Sequence, residues 1–184
     1  MPPSSSDASV TASLQQSYAA ARQSADATAD VTVLHIGAAH CGIAQGAGQE
    51  PDLVKLLPLG SERLAREQFK TSPPTPLALE NAIQVVEDWV MPLRPLIPGA
   101  ALLFSTDVGV REIALLSGVA PAQSMHLSLD AMERTFNRLT AVVQGSPATH
   151  QGLPQSNHFA ATLLILREFM HHLQFSHIAV LHAQ

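Results

Sequence analysis

The stretch Val31-Thr-Val-Leu-His-Ile-Gly-Ala-Ala-His-Cys-Gly-Ile-Ala-Gln45 decides the fold. Its first six residues, Val31 to Ile36, are short, β-branched and closed by Gly37, which reads as a buried strand; Cys41 to Gln45 reads as a second, ended by the Gly46-Ala47-Gly48 turn. So few residues separate the two that they predict a hairpin, and Leu53 to Leu59, running into Gly60, adds a third strand. The chain therefore opens its sheet with three consecutive antiparallel strands.

Upstream, residues 1–7 read as a disordered lead, followed by a weak helix with Val10, Leu14, Tyr18 and Ala21 at helical spacing, ending in the polar stretch Gln23 to Asp30. Downstream, Ser61 to Phe69 reads as a short helix, and Pro73-Pro74 as a loop. Thr75-Pro76 is a good helix start, with Leu79, Ile83, Val86 and Val90 marking a buried face to about Leu93, where Pro92, Pro95 and Pro98 stop it. Ala100 to Phe104 reads as a buried strand that turns at Ser105 to Gly109 into a helix from Val110 to Leu116. Ser128 caps a helix carrying Met132, Phe136, Leu139 and Val143. A loop with Gly145, Pro147, Gly152 and Pro154 leads to a long helix with Phe159, Leu163, Leu166, Met170 and Leu173 on its core face, and His177 to Leu181 is the last strand. The expected architecture is α/β, with helices covering a mixed sheet, organised as a single domain over residues 8–184.

Composition narrows the function classes. Apolar residues make up 46% of 184, and charged residues 14%, which suits a chain with a full hydrophobic core. The formal net charge is -5 with Lys and Arg scattered, so nucleic acid is not an expected partner. No apolar run approaches the roughly 20 residues of a membrane span. Cys41 is the only cysteine, which excludes an internal disulfide and fits a reducing compartment; the amino terminus lacks the pattern of a secretion signal, so a cytoplasmic location is expected.

The order of elements, with a glycine turn after the first strand, resembles the ribonuclease-H-like domain of the actin, sugar kinase and hexokinase superfamily, and more closely the second domain of the exopolyphosphatase/guanosine pentaphosphate phosphatase (Ppx/GppA) family. His35-Ile-Gly-Ala-Ala-His40-Cys41 falls where that family has Asp-Ile-Gly-Gly-Gly-Ser-Thr, and Leu57-Pro-Leu-Gly-Ser-Glu-Arg-Leu64 matches its Leu-Pro-Leu-Gly-x-x-Arg-Leu segment. Ser105-Thr-Asp-Val-Gly-Val-Arg-Glu-Ile-Ala114 sits where it has Gly-Thr-Gly-Gly-Thr-Ala-Arg-x-Leu-Ala, ahead of the family-like Leu127-Ser-Leu-Asp-Ala-Met132. Gly152-Leu-Pro154, Leu163-Leu-Ile-Leu166 and Ile178-Ala-Val180 continue the match to the closing helix and strand.

The resemblance implies two phosphate loops, and the departures fall on them. In the first, Gly37 is kept, while Ala38 and Ala39 replace glycines, His40 follows, and His35 replaces an aspartate expected to place a metal ion or an attacking water. In the second, Thr106 and Gly109 flank Asp107 and Val108, which stand where two glycines are expected; a carboxylate there opposes phosphate by charge and bulk. Asp107 and Thr106 also read as a plain helix N-cap for Val110 to Leu116. The family's catalytic carboxylate has no counterpart in Ala12-Ser13-Leu14-Gln15, and the resemblance covers the family's second domain but not its first.

The expectation is a degenerate phosphatase-like domain, non-catalytic, acting in binding, regulation or assembly. It would self-associate, or meet a partner on the face the first domain would cover. One alternative is a phosphoanhydride hydrolase that needs a separate first domain and Mg2+. Another is a small metal-binding domain using His35 and His40, imidazoles that a hairpin brings together. Arg63 matches a family arginine beside the cleft, or forms an ion pair with Glu62 or Glu67. His171 and His172 read as surface residues complementing a helix end, and Leu14, Tyr18 and Trp89 as core.

Overall fold

The computed structural model describes residues 5–182. Helix α1 (Ser5–Ser24) leads into β1 (Val31–Ile36), β2 (Cys41–Gly46) and β3 (Leu53–Leu57), then α2 (Ser61–Gln68) and α3 (Pro76–Val90). After a 3₁₀ segment (Met91–Leu96) come β4 (Leu102–Ser105), α4 (Val108–Leu116), β5 (Ser124–Ser128), α5 (Leu129–Val143), α6 (Ala148–Gln151), α7 (Asn157–His172) and β6 (His177–Leu181). Most of the expected lead, residues 1–4, lies outside the described residues, and α1 already begins at Ser5.

One six-stranded sheet runs in the order β3-β2-β1-β4-β6-β5. The hairpin pairs Ile36 with Cys41 and Val31 with Gly46; β1, β4 and β6 are parallel, and β5 closes the far edge antiparallel to β6. Parallel neighbours need crossovers, and helices supply them. The mixed sheet opening with three antiparallel strands is as the sequence predicts.

Alternation along β1 divides the core. Leu34 and Ile36 face a large layer built by α2 to α5 and α7, while Val31 and Val33 face α1. On the α1 side, Leu14, Tyr18 and Ala21 pack with Ala44, Phe104, Ala179 and Leu181. Each fully buried Leu, Val or Phe stabilises the fold by about 1.5–3 kcal/mol relative to exposure, so the large layer dominates. At its centre is α7, buried on nearly every side from Phe159 to Met170 because its sequence is apolar all round.

Several expectations are corrected. The edge strand β5 was not read from Ser124-Met-His-Leu-Ser, because only Met125 and Leu127 turn inward and a five-residue alternation beside a helix cap is a faint signal. The loop around Pro147 contains the short α6, and the prolines after α3 do not stop the chain outright but carry it into the 3₁₀ segment. The fourth strand begins at Leu102 instead of Ala100, and α4 begins at Val108 instead of Val110. Trp89 is not core: it is 40% exposed on the outer face of α3. Among the described residues, no helix is long and apolar enough to cross a membrane.

Candidate functional site

Parallel pairing sets Val31 opposite Leu102 and Val33 opposite Phe104, so the carboxyl ends of β1 and β4 stand side by side. The two segments read as phosphate loops therefore meet. The loop after β1 brings His35, Gly37, Ala38, Ala39 and His40; the loop after β4 brings Thr106, Asp107 and Gly109.

Asp107 joins them. Its Oδ2 accepts the Ile36 backbone N–H at 2.6 Å, and its Oδ1 lies 2.6 Å from His35 Nδ1. Its own N–H donates to Ser105 Oγ at 3.2 Å, where Ser105 is fully buried. Asp107 occupies the N-cap position of α4 but its side chain makes no capping bond, which corrects the N-cap reading. By contrast, Thr75, Ser128 and Ser156 cap α3, α5 and α7 through their side chains, so the omission at α4 reflects a carboxylate already engaged across the sheet.

The electrostatic consequences are local. The hydrogen bond His35 donates to Asp107 raises the His35 pKa above the ordinary histidine value; partial burial opposes it and the Asp107 charge adds to it. Cys41, fully buried at the start of β2, has its thiol pushed well up by burial and further by Asp107. It is an inert thiol rather than a nucleophile.

The first loop is closed by backbone. Gly37 N–H donates to the His40 carbonyl at 3.0 Å. The Gly37 carbonyl accepts from Ser61 N–H at 2.9 Å, and the Ala38 carbonyl from both Glu62 and Arg63 N–H at 3.0 Å. These are the free donors of the first turn of α2, the groups that a helix start offers to an anion. Gly60 permits the contact: a Cβ there would lie 2.4 Å from the Ala38 oxygen. Ala38 and Ala39 are exposed, and the left-handed residues are Gly118, Gly145, Gly152 and Gln174, so the alanines sit in the turn without backbone strain.

His40 has a buried Nδ1 with no hydrogen-bond partner, while His35 Nδ1 is committed to Asp107. Among the described residues, those that converge with metal-ligand spacing are Glu87, Glu168 and His172, which sequence reasoning missed because α3 and α7 are far apart in the chain. His172 is thus no simple surface residue. Arg63 pairs with Glu67 at 3.0 Å, both side chains well exposed. Gly109 sits where a Cβ would come within 3.3 Å of Thr162 on α7, so it serves close packing of α4.

Beside the His35–Asp107 pair, α1 and the strand ends enclose a cleft of about 620 Å³ lined by Ser13, Ser17, Gln23, Thr106, Ser124 and Leu181 among others. Ser17 and Thr106 hydroxyls meet there at 2.7 Å. No Lys or Arg lines it.

No family model matches the chain, and no curated protein matches it by sequence. Solved structures do match. A Ppx/GppA phosphatase of Aquifex aeolicus superposes with a TM-score of 0.74 at 15% identity, covering 92% of this chain and 58% of that one. An exopolyphosphatase from Cytophaga hutchinsonii gives 0.70 at 15% identity, over 93% and 59%. An exopolyphosphatase-like protein gives 0.70 at 12% identity, over 94% and 62%. Across nearly its whole length, then, the chain has the fold seen in Ppx/GppA phosphatase structures, and it spans about 58–62% of the length of these three.

Proposed function

We propose that the chain is a non-catalytic relative of the Ppx/GppA phosphatases, a binding or regulatory domain whose phosphate cradle is filled by its own carboxylate. The observation that carries this reading is Asp107: its two oxygens take the Ile36 N–H and His35 Nδ1, donors that a phosphate oxygen would compete for. A phosphate would have to displace an anion held by two short, charge-assisted hydrogen bonds, and to do so beside a cleft that no Lys or Arg lines. The donors at the start of α2 are likewise taken, by the Gly37 and Ala38 carbonyls. With no acid in residues 12–15 of α1, a water-activating base is lacking where the resemblance calls for one.

Phosphate release from polyphosphate or guanosine pentaphosphate, with Mg2+, tests the reading directly. Wild type is expected to release none above background and to give no calorimetric signal with inorganic triphosphate. Steady turnover lost on Asp107→Asn or Arg63→Ala substitution would overturn the proposal in favour of the hydrolase. The reading extends to assembly: Val108, 79% exposed at the start of α4 next to Asp107, suits contact with a second copy or a partner. Sedimentation showing a monomer at high concentration, with no partner recovered, would remove that part.

A further inference from the structure

The last turns of α3 and α7 meet in the larger helical layer, away from the Asp107 cleft. Glu168 is a carboxylate with a side chain only 1% exposed. One of its oxygens accepts from Arg167, and the other lies 3.0 Å from His172 Nε2. The same nitrogen lies 3.1 Å from Glu87 Oε1, contributed by α3. One ligand atom from each of Glu87, Glu168 and His172 falls within 4.8 Å of the other two.

Glu168 and His172 stand four residues apart, so they project from one face of α7 with the separation that lets two side chains share an ion. Donor atoms bound at about 2.1 Å around one ion lie roughly 3.0–3.4 Å from each other, and the two nitrogen–oxygen separations fall at that spacing.

Three features favour a cation here. Arg167 pairs with Glu133 and Glu168 but not with Glu87, whose partner is His172, and His171 lies 3.5 Å from Glu133. The cluster also sits at the carboxyl-terminal turns of two helices, the negative ends of their dipoles, and α3 has no basic residue in its last turn. Finally, one imidazole nitrogen faces two carboxylate oxygens, while a neutral ring offers a single N–H there.

We propose that Glu87, Glu168 and His172 form a site for a first-row divalent metal ion of the Zn2+ type, which fastens the end of α3 to the end of α7. Imidazole with carboxylates selects such ions over Mg2+ and Ca2+, which prefer all-oxygen sets. Arg167, on the other Glu168 oxygen, orients that carboxylate as outer partners of metal ligands do. Glu87 and His172 are 30% and 22% exposed, which gives the ion an entry path and leaves room for water ligands. The rival arrangement is a protonated His172 bridging the two carboxylates without any metal.

The full chain, stripped with a chelator, would be titrated with Zn2+ by calorimetry and with Co2+ by visible absorption. Expected are one ion per chain, a chelator-reversible rise in Tm, and loss of roughly 100-fold or more in affinity for His172→Ala. Glu87→Gln, a conservative change on a partly exposed side chain, keeps the fold and loses affinity too. His158→Ala, on the exposed start of α7, leaves binding unchanged. Absence of one-to-one uptake, or uptake indifferent to both His172→Ala and Glu87→Gln, would overturn the site and leave the protonated bridge.

Discussion

The loops after β1 and β4 stand side by side yet are closed in different ways. After β1 the backbone does it: Gly37 N–H is turned onto His40, and the Gly37 and Ala38 carbonyls cap α2. After β4 a single side chain does it, Asp107 reaching across to Ile36 and His35. A backbone closure is fixed by chain geometry and resists side-chain change, whereas a carboxylate can be exchanged or protonated. The first loop is therefore a structural joint, and the second is the one a single side-chain change would open.

The joint breaks at Gly60. A Cβ there would meet the Ala38 carbonyl carbon and the Ala39 carbonyl carbon at 2.5 Å, and those are backbone atoms that cannot swing aside. Gly60→Ala is expected to destabilise the protein by about 3 kcal/mol, read as the urea midpoint at unchanged slope. A loss under about 0.5 kcal/mol would mean that the two loops are less different than the geometry implies.

Asp107→Asn comes next. The amide keeps one acceptor for the Ile36 N–H but presents an NH2 or loses charge at His35, so a loss of about 1.5–3 kcal/mol is expected, the range for hydrogen bonds to charged groups. The same variant removes the anion from the cradle. If triphosphate then binds where wild type shows none, the side-chain closure alone excludes phosphate; if it still does not bind, the backbone closure is sufficient.

The pair also gives stability a pH dependence whose sign is fixed. The folded-state pKa of His35 lies above its unfolded value, chiefly through the Asp107 hydrogen bond. Its contribution is therefore complete below the ordinary histidine value of about 6.5, and it is lost as pH rises through the folded-state value. Wild type should lose more stability on going from pH 6 to pH 8.5 than Asp107→Asn does. The effect is smaller than that of Asp107→Asn itself, because the bond to Ile36 survives deprotonation of the ring. Equal slopes for the two proteins would mean that His35 is not held by Asp107 in solution.

How much of this was legible in sequence follows from the same contrast. Short-range signals carried the fold: the β-branched run at 31–36, the Thr75-Pro76 start and the apolar spacing of α7 each act within a few residues, and β1 and β6 have the expected limits. The two loop segments singled out in sequence do lie side by side at the strand ends, with Asp107 bonded across them. What was not legible depends on strand order. That Asp107 would reach back 71 residues to Ile36 rather than cap its own helix follows from β1 lying next to β4, which no local pattern specifies. Trp89 was misread for the reverse reason, since helical spacing marks a face but not what lies against it.

Arg63 gives the smallest effect and the sharpest question about the first loop. It stands in the opening turn of α2, where its N–H is held by the Ala38 carbonyl, and its guanidinium pairs with Glu67 one turn on. The two side chains are 39% and 46% exposed, so water and salt screen the pair, and exposed helix pairs at this spacing contribute only about 0.3–0.5 kcal/mol. Arg63→Ala should change stability by no more than that, since its backbone contact is untouched. If the change exceeds about 1 kcal/mol, Arg63 is holding something beyond Glu67, and the first loop is more than a joint. A change within the expected range, together with unaltered triphosphate binding in the Asp107→Asn background, would place the arginine outside any anion site and leave the second loop as the sole point of control.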